Sequence, residues 1–363
     1  MKKICFVKYD MRDTSGGARV CANLANALSD RYEVHVVSIC GESDDTFYTL
    51  SEGVQYSVLI RGSGRIRETI FKGSRLLHAY LKDNGIDMAF AVGVSISPFI
   101  VNAVRGTKCK AVTCEHITCL DTFESNFTQR LCRRIGAKLS DTVVTLTPDD
   151  REAYIEKYSL SPEKVVSIYN WIDDSLVSEE NVYNPKSRII MSAGRIVPLK
   201  GIEKVIEVSR RLKDEFPEWQ WHIYGTGEDE YVSKLRGAIE ENGLGGFLKL
   251  MGGTNDIYSL YKNCGLFVLT SYSEGFSLVL LEAKAHRIPL VSFDCPTGPR
   301  NIIRDGVDGY LVQAYDVDAL HDKIAECLSD EELRVRLSEN AYGNMDKFYK
   351  SEIIERWIEL IGE

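Results

Sequence analysis

The stretch SEGFSLVLLE, Ser273–Glu282, sets one carboxylate before and one after a short apolar run. The run predicts the first turns of a buried helix, and Ser277 stands where the helix N-cap is expected. Glu274 precedes Gly275 and falls on a loop, whereas Glu282 falls on the helix itself. A capped helix carrying two solvated glutamates is the plain alternative. The choice between them depends on the rest of the chain.

The predicted helix start supplies groups that could bind a ligand. Backbone N–H groups in the first turn of a helix have no intrahelical partner and attract anions and hydroxyl groups. Helical side chains also lean toward the N-terminus, which directs Glu282 back to the helix start. We therefore expect both acids to face one ligand together with the amides of Phe276, Ser277 and Leu278.

A second motif lies about seventy residues upstream, where the apolar segment Arg188–Arg195 predicts a strand that runs into a loop. Arg195 ends this segment, and Lys200 and Gly201 follow five positions later. A guanidinium and an ammonium group on one strand-to-helix loop can hold a diphosphate between them.

The chain opens with a third motif, a strand at Ile4–Val7, a loop and a helix, followed by a strand at Val34–Ile39. This alternation is typical of a Rossmann-like sheet. Gly16 and Gly17 stand where the first strand hands over to the helix, so their amides can approach a phosphate closely. A glycine pair is also common in structural turns. A nicotinamide-dependent oxidoreductase is a competing interpretation, but the G-x-G-x-x-G fingerprint is missing.

The spacing of Glu274 and Glu282 resembles the E-x7-E motif of retaining glycosyltransferases of family 4, and Gly194–Gly201 matches that family's G-R-x4-K-G pattern. The resemblance implies an α/β chain with the GT-B fold, two Rossmann-like doubly wound domains that face each other across a cleft. It covers nearly the whole sequence. It places an acceptor-side domain at residues 1–175, a nucleotide-sugar domain at 186–345, and a last helix at 346–363 that returns to the first domain. Asn301 departs from the family, which usually has Glu there.

The resemblance also implies a function, the transfer of a sugar from a nucleotide diphosphate donor, expected to be a UDP-sugar, with retention of configuration. It assigns catalytic roles to Glu274, Arg195, Lys200 and His116. His116 would be a polar contact to the donor sugar or the acceptor, and a purely structural histidine is the alternative. The implied donor-binding residues are Gly16, Gly17, Arg195, Lys200, Glu274, Gly275, Phe276, Ser277, Leu278 and Glu282. Glu282 would hold the ribose.

No cofactor or metal ion is expected, because Arg195 and Lys200 would neutralise the departing diphosphate. Cys109, Cys114, His116 and Cys119 lie close together in sequence but lack paired C-x2-C spacing, so we expect no zinc site. The ten cysteines are scattered, which favours reduced thiols in the cytoplasm. Apolar runs are too short to span a bilayer or to form a signal peptide.

Charge is distributed unevenly, since residues 1–175 are neutral and the formal net charge of −9 belongs to the remainder. Two basic stretches stand out in the neutral part, Arg61–Arg75 and Arg130–Lys138. Nucleic-acid motifs are absent, so an anionic membrane surface is the expected partner, on the inner face of the membrane. Solvated helix faces are the alternative.

The resemblance, together with the basic stretches, implies a glycan or a lipid-linked oligosaccharide of bacterial surface polysaccharide synthesis as the acceptor. The loops at residues 44–63 and 118–129 would line its side of the site. A non-catalytic protein that binds sugar nucleotides would keep the same basic clamp but would not need Glu274 beside the sugar. That alternative stays open at this point.

Overall fold

The computed structural model describes residues 1–120, 127–173, 176, 178 and 181–362. The chain divides into two compact units, one formed by residues 1–170 together with the C-terminal segment from Ile353, the other by Trp171–Glu352. Each unit is built on one parallel sheet. The expected linker at residues 174–186 falls partly outside the described residues.

The first unit contains a seven-stranded sheet in the order β3-β2-β1-β4-β5-β6-β7, with every neighbouring pair parallel. Its strands are β1 (Lys3–Lys8), β2 (Glu33–Gly41), β3 (Val54–Arg61), β4 (Met88–Val92), β5 (Lys110–Cys114), β6 (Thr142–Thr145) and β7 (Val165–Ser167). The central strands are apolar runs that are buried on both faces, as parallel sheets require. The prediction of a loop at residues 44–63 is wrong for the second half of this segment, which forms β3 (Val54–Arg61).

The helices of the first unit are α1 (Gly16–Leu28), α2 (Ile66–Asp83), α3 (Ser97–Ala103), α4 (Phe127–Leu139) and α5 (Pro148–Tyr158), with most of α13 (Lys350–Ile361). Two glycines let α2 and α4 pack closely on α3. A Cβ on Gly73 would lie 2.8 Å from the Phe99 ring, and one on Gly136 would lie 2.7 Å from Ser97 Oγ. The helices α2, α3 and α4 therefore form one layer.

The second unit contains a six-stranded sheet in the order β10-β9-β8-β11-β12-β13, again parallel throughout. Its strands are β8 (Ile189–Ala193), β9 (Gln220–Tyr224), β10 (Leu248–Gly252), β11 (Leu266–Leu269), β12 (Leu290–Asp294) and β13 (Gly309–Gln313). Its helices are α6 (Ile202–Glu215), α7 (Asp229–Glu241), α8 (Ile257–Tyr261), α9 (Leu278–Ala285), α10 (Pro299–Ile302), α11 (Val317–Ser329) and α12 (Glu331–Glu339). Two Rossmann-like doubly wound units confirm the predicted fold class.

The strand order of the second sheet reverses between β8 and β11, which are hydrogen-bonded neighbours. At such a switch point the loops after the two strands open side by side, and ligands of open α/β sheets bind there. The loop after β8 carries Arg195 and Lys200, and the loop after β11 carries Glu274. The topology therefore brings the two motifs of this unit together.

All ten cysteines lie within the described residues, where they are buried and free of disulfide bonds. In the part of the chain that the structure describes, no helix is long and apolar enough to cross a bilayer.

Candidate functional site

Lys200 is held rigidly at the end of β11. The backbone carbonyl of Lys200 accepts a hydrogen bond from Thr270 Oγ1 at 2.8 Å, and Tyr272 N donates to Leu199 O at 2.9 Å. Gly201 follows with a φ of 63°, and a Cβ there would lie 2.3 Å from Thr270 O. Only glycine fits both this backbone conformation and this close approach.

The ammonium group of Lys200 reaches the first acid of the E-x7-E motif. Lys200 Nζ lies 2.5 Å from Glu274 Oε1, and the Glu274 side chain is only 10% exposed. Thr297 Oγ1 donates to the backbone carbonyl of Glu274, and Gly298, with a φ of 92°, would place a Cβ 3.2 Å from Glu274 Cβ. Two loops thus fix the acid next to the cation.

Arg195 differs from Lys200 although both lie on the loop after β8. Its side chain is exposed, and it makes no ion pair with any residue that the structure describes. Both residues line a small cavity at the carboxyl ends of β8 and β11, together with Gly194 and Thr270. The guanidinium is therefore available to a ligand at this edge of the sheet.

Three serine hydroxyls surround Glu274 in sequence and are buried. Ser271, Ser273 and Ser277 are at most 4% exposed, and their Oγ atoms have no hydrogen-bond partner among the described residues. Ser277 occupies the N-cap position of α9, as predicted, but its side chain makes no capping bond. Buried hydroxyls without partners are uncommon in proteins, and a bound water, an ion or a catalytic role is the usual explanation. Ser271 and Ser273 were not singled out from the sequence, although they belong to the same loop.

Glu282 lies on α9, as predicted, and is 2% exposed. Its Oε2 accepts a hydrogen bond from the buried hydroxyl of Tyr261 at 3.1 Å, and its backbone carbonyl lies 2.8 Å from Nδ1 of His286. Because the Glu274 side chain is also largely buried, the alternative of two solvated glutamates is wrong. Tyr261 was missed from the sequence because α8 lies some twenty residues upstream.

The remaining residues of the motif sit around the start of α9. Gly275 is buried, the ring of Phe276 packs against Phe348 with centroids 5.5 Å apart, and Leu278 opens the helix. Asn301 lies on α10, and its carbonyl accepts a hydrogen bond from Lys347 Nζ at 3.0 Å.

In the first unit, Gly16 and Gly17 form the first residues of α1, after β1. No atom approaches a Cβ position at Gly16, and at Gly17 the nearest atom is Lys8 Nζ at 3.6 Å. Lys8 Nζ also lies 3.1 Å from Asp13 Oδ2 and 3.4 Å from Ser15 Oγ. The helix start is thus uncrowded and carries a partly buried lysine beside it.

His116 follows β5 and is held by a buried polar network. Glu115 Oε1 accepts from the backbone N–H groups of His116 and Ile117, while Oε2 accepts from Arg133 Nε at 2.6 Å and from the Tyr154 hydroxyl at 2.7 Å. His116 Nε2 is buried and has no partner among the described residues. Burial lowers the pKa of His116 to about 4, so the imidazole is neutral near pH 7.

Asp150 supports the same segment from α5. Its Oδ1 accepts from Thr118 Oγ1 at 2.6 Å and from Cys119 N at 2.8 Å, whereas its Oδ2 is buried and has no hydrogen-bond partner in the described ranges. Burial, followed by the charge of Glu115, raises the pKa of Asp150 to about 6. The loop at residues 118–129 was expected to line the acceptor side. Its residues 121–126 lie outside the described residues.

The network corrects one prediction about charge. Arg133 is 2% exposed and pairs with Glu115, so it does not belong to a surface patch. Arg130, Arg134 and Lys138 are exposed, as predicted. Sequence alone does not separate Arg133 from Arg134, because the burial of Arg133 depends on a partner eighteen positions away.

Within the described ranges, no group of three or more His, Cys, Asp or Glu side chains is arranged to hold a metal ion.

Comparison with known proteins identifies the family. The family model described as Glycosyltransferase Family 4 matches residues 14–176, and the one described as Glycosyl transferases group 1 matches residues 174–344. Together they cover most of the chain. The chain belongs to glycosyltransferase family 4.

Two relatives match over all or nearly all of their lengths. An uncharacterized glycosyltransferase of Haemophilus influenzae is 25% identical over 98% of this chain and 99% of its own. The amylovoran biosynthesis glycosyltransferase AmsD of Erwinia amylovora is 24% identical over 100% of both chains.

Two solved structures share the fold. A mutant of Staphylococcus aureus TarM, solved with fondaparinux, α-GlcNAc-glycerol and UDP, matches with a TM-score of 0.84 at 16% identity over 100% of both chains. Anabaena HepE, solved with UDP and glucose, matches with a TM-score of 0.82 at 20% identity over 99% of both chains. The protein is a glycosyltransferase with the GT-B fold.

Proposed function

We propose that this glycosyltransferase moves a sugar from a UDP-sugar to a glycan or lipid-linked oligosaccharide with retention of configuration. Arg195 and Lys200 bind the diphosphate, because negative charge builds on the leaving oxygen in the transition state and a preorganised cation stabilises it. Glu274 and the first-turn amides of α9 hold the sugar hydroxyls. Glu282 holds the ribose.

The observation that carries this proposal is the contact between Lys200 and Glu274 at 2.5 Å. It joins the two motifs of the second unit at the switch point of its sheet. A phosphate that approaches Lys200 shares its ammonium with Glu274, so the acid lies within reach of the sugar attached to that phosphate. In this proposal Arg195, exposed on the same loop, binds a second phosphate group.

His116 acts in this proposal as a neutral polar contact to the donor sugar or the acceptor. Its low pKa makes it a weak base near pH 7. The leaving phosphate itself takes the proton of the acceptor hydroxyl, on the face of the sugar where the new bond forms. Gly16 and Gly17 contribute amides to the diphosphate.

The choice of donor and pathway draws on the comparisons. Both solved structures described above are complexes with UDP. AmsD is named for amylovoran biosynthesis, and a Campylobacter jejuni relative, 25% identical over 100% of this chain and 99% of its own, is named for transfer to a diphosphoundecaprenol-linked glycan. These names support our proposal that the protein acts in bacterial surface polysaccharide synthesis. The proposal also includes a cytoplasmic location and an anionic membrane surface as partner, which we infer from the scattered cysteines and the basic stretches of the sequence.

A screen of nucleotide sugars tests the donor. Thermal stabilisation and slow hydrolysis should single out one UDP-sugar, and Lys200→Met should abolish hydrolysis. Lys204→Met is the matched control, because Lys204 is partly exposed and its one ion pair among the described residues is with Glu207. A screen in which no nucleotide diphosphate sugar is hydrolysed or stabilises the protein would contradict the proposal. Retention is checked by the anomeric configuration of the product in an NMR spectrum.

Metal independence is tested with the same assay. Because two side chains supply the positive charge, we expect the rate to stay within about two-fold after EDTA treatment. Loss of activity in EDTA, with recovery on addition of Mg²⁺ or Mn²⁺, would show that a divalent ion neutralises the diphosphate.

A further inference from the structure

The outward face of α2 combines exposed cations with an exposed aromatic ring. Arg67, Lys72 and Arg75 are exposed, and Phe71 between them is 88% exposed. The spacing of these residues places them on one side of the helix. Glu68 is the one acidic residue in the sequence from Arg61 to Arg75, and its Oε1 lies 3.8 Å from Arg67 Nε.

The outward face of α4 has the same character. Arg130, Arg134 and Lys138 are exposed, and two apolar side chains lie among them, Phe127 at 75% and Leu131 at 46% exposed. The helix contains no acidic residue. Of the cations on the two helices, Lys72, Arg75, Arg130, Arg134 and Lys138 make no ion pair with any described residue. Their charge is therefore available to an external partner.

Both faces belong to one side of the first unit. Gly73 packs α2 against α3 and against Ile39 of β2, and Gly136 packs α4 against α3 and against Thr113 of β5. The opposite sides of both helices therefore point away from the sheet. By helical spacing, Phe71 and Arg75 lie opposite Gly73, and Arg134 lies opposite Gly136. We call the exposed residues Arg67, Phe71, Lys72, Arg75, Phe127, Arg130, Leu131, Arg134 and Lys138 the basic-apolar face.

We propose that the basic-apolar face docks on the surface of an anionic lipid bilayer, with Phe71, Phe127 and Leu131 inserted among the headgroups. Cations next to exposed aromatic and aliphatic side chains are the pattern that binds this surface, since the charges attract acidic lipids and the rings enter the headgroup boundary. Isolated exposed apolar residues are ordinary, but here they alternate with cations on two helices of one layer. The chain as a whole is acidic, with a formal net charge of −9, so attraction to anionic lipid must come from a local surface.

This inference deepens the proposed membrane-associated function, and its test needs no sugar donor. The purified protein is floated with vesicles of phosphatidylcholine alone and with vesicles that contain 30% phosphatidylglycerol. We expect at least ten-fold tighter binding to the anionic vesicles in 0.1 M NaCl and its loss in 0.5 M NaCl. Failure of the donor screen with intact flotation would overturn the enzymatic proposal alone. The reverse result would overturn the docking proposal alone.

Charge-reversal variants identify the surface. The test variant combines Lys72→Glu, Arg75→Glu, Arg130→Glu and Arg134→Glu. The matched control reverses four exposed cations of the second unit, Arg210→Glu, Lys234→Glu, Arg236→Glu and Lys262→Glu, and so has the same net charge. We expect at least ten-fold weaker vesicle binding for the test variant and a change under two-fold for the control. Equal loss in both would show a net-charge effect and overturn the assignment.

Insertion is tested separately from charge. The tryptophan fluorescence gained in the Phe71→Trp variant should be quenched by brominated lipid in the anionic vesicles. The double variant Phe71→Ser with Phe127→Ser should bind the vesicles at least three-fold more weakly, while its melting temperature is unchanged. Absence of quenching would overturn the insertion of the ring. A different outcome is that the wild-type protein does not bind the vesicles but forms dimers, and that the test variant does not dimerise. This result would show that the face is a contact between copies of this chain and would overturn the proposal.

Discussion

Arg195 and Lys200 lie five positions apart on one loop, yet their surroundings differ. Lys200 is partly buried and is paired with Glu274, whereas Arg195 is exposed. Removal of Lys200 therefore affects both the ligand site and the balance of charge around a buried acid. Removal of Arg195 affects only what Arg195 itself binds, which makes it the cleaner probe of the clamp.

We predict that Arg195→Ala lowers kcat/KM by an amount that corresponds to about 2–4 kcal/mol of lost transition-state stabilisation. This is the effect of removing one preorganised hydrogen-bond donor from a site where charge develops. Its free energy of unfolding should change by less than about 0.5 kcal/mol, because the side chain is exposed. Steady-state kinetics and denaturant unfolding measure the two quantities. Arg210→Ala, an exposed arginine on α6, is the control for kinetics. Activity within a few-fold of wild type for Arg195→Ala would contradict the clamp.

Asp150 gives a pH-dependent prediction. Its pKa is raised by burial to about 6 in the folded protein, against about 3.9 in an unfolded chain. The folded state therefore binds the proton more tightly, and this group's contribution to stability falls as the pH rises from about 4 to 6. Asp150→Asn removes that penalty and keeps an oxygen for Thr118 and Cys119.

We accordingly expect Asp150→Asn to raise the melting temperature relative to wild type at pH 7.5 by more than it does at pH 4.5. The comparison is the difference between the two proteins at each pH, so other titrating groups cancel. Glu152→Gln, an exposed neighbour on α5, should show no such trend. A difference that is constant across this range would mean that Asp150 is already charged at low pH.

At the scale of elements, the connection from β5 to α4 depends on the ion pair of Glu115 and Arg133. Both side chains are at most 2% exposed, with 2.6 Å between Arg133 Nε and Glu115 Oε2. Removing one partner of a buried pair leaves an uncompensated charge, at a cost of about 3–5 kcal/mol. Arg133→Met should therefore destabilise the first unit by about that amount in denaturant unfolding, and Arg134→Met should leave it nearly unchanged.

A double variant separates loss of the pair from loss of packing. Glu115→Gln in the Arg133→Met background removes the stranded charge and should recover part of the lost stability. If both arginine variants unfold alike, the buried pair is not what holds this connection.

The strands show which elements sequence patterns can predict. The strands predicted at Ile4–Val7 and Val34–Ile39 lie within β1 and β2, because interior parallel strands are continuous apolar runs between turn residues. β3 (Val54–Arg61) was assigned to a loop, since it lies at the sheet edge and is only half-buried, with polar Gln55 and Ser57 inside it. An edge strand needs fewer apolar residues, so its pattern is weaker.

The candidate site divides in the same way. The E-x7-E and G-R-x4-K-G motifs place Glu274 and Lys200 on loops, and the strand order then makes those loops neighbours. Contacts that depend on three-dimensional packing, such as Tyr261 with Glu282, are not recorded in the spacing of residues along the chain. They depend on how the helices pack on the sheet.

At the scale of the whole molecule, the two ends of the chain meet in the first unit. Lys2 Nζ donates to Ile361 O at 2.7 Å, and the Tyr32 hydroxyl donates to Gly362 O at 3.1 Å. Both bonds are made at the C-terminal end of α13, and this helix buries Ile353, Trp357 and Ile361. The segment from Ile353 therefore belongs to the first unit, although residues 171–352 form the second.

Trp357 is the centre of this contact, since it is 5% exposed and meets the Phe90 ring of β4 edge-on at 5.8 Å between centroids. We predict that Trp357→Ala destabilises the first unit by about 3–5 kcal/mol, the scale for deleting a large buried aromatic side chain. Arg356→Ala, next to it but exposed, should cost less than about 0.5 kcal/mol. Denaturant unfolding followed by limited proteolysis measures the loss and locates it, with early cleavage expected in the first unit. Equal stability of the two variants would show that α13 rests on the sheet without supporting it.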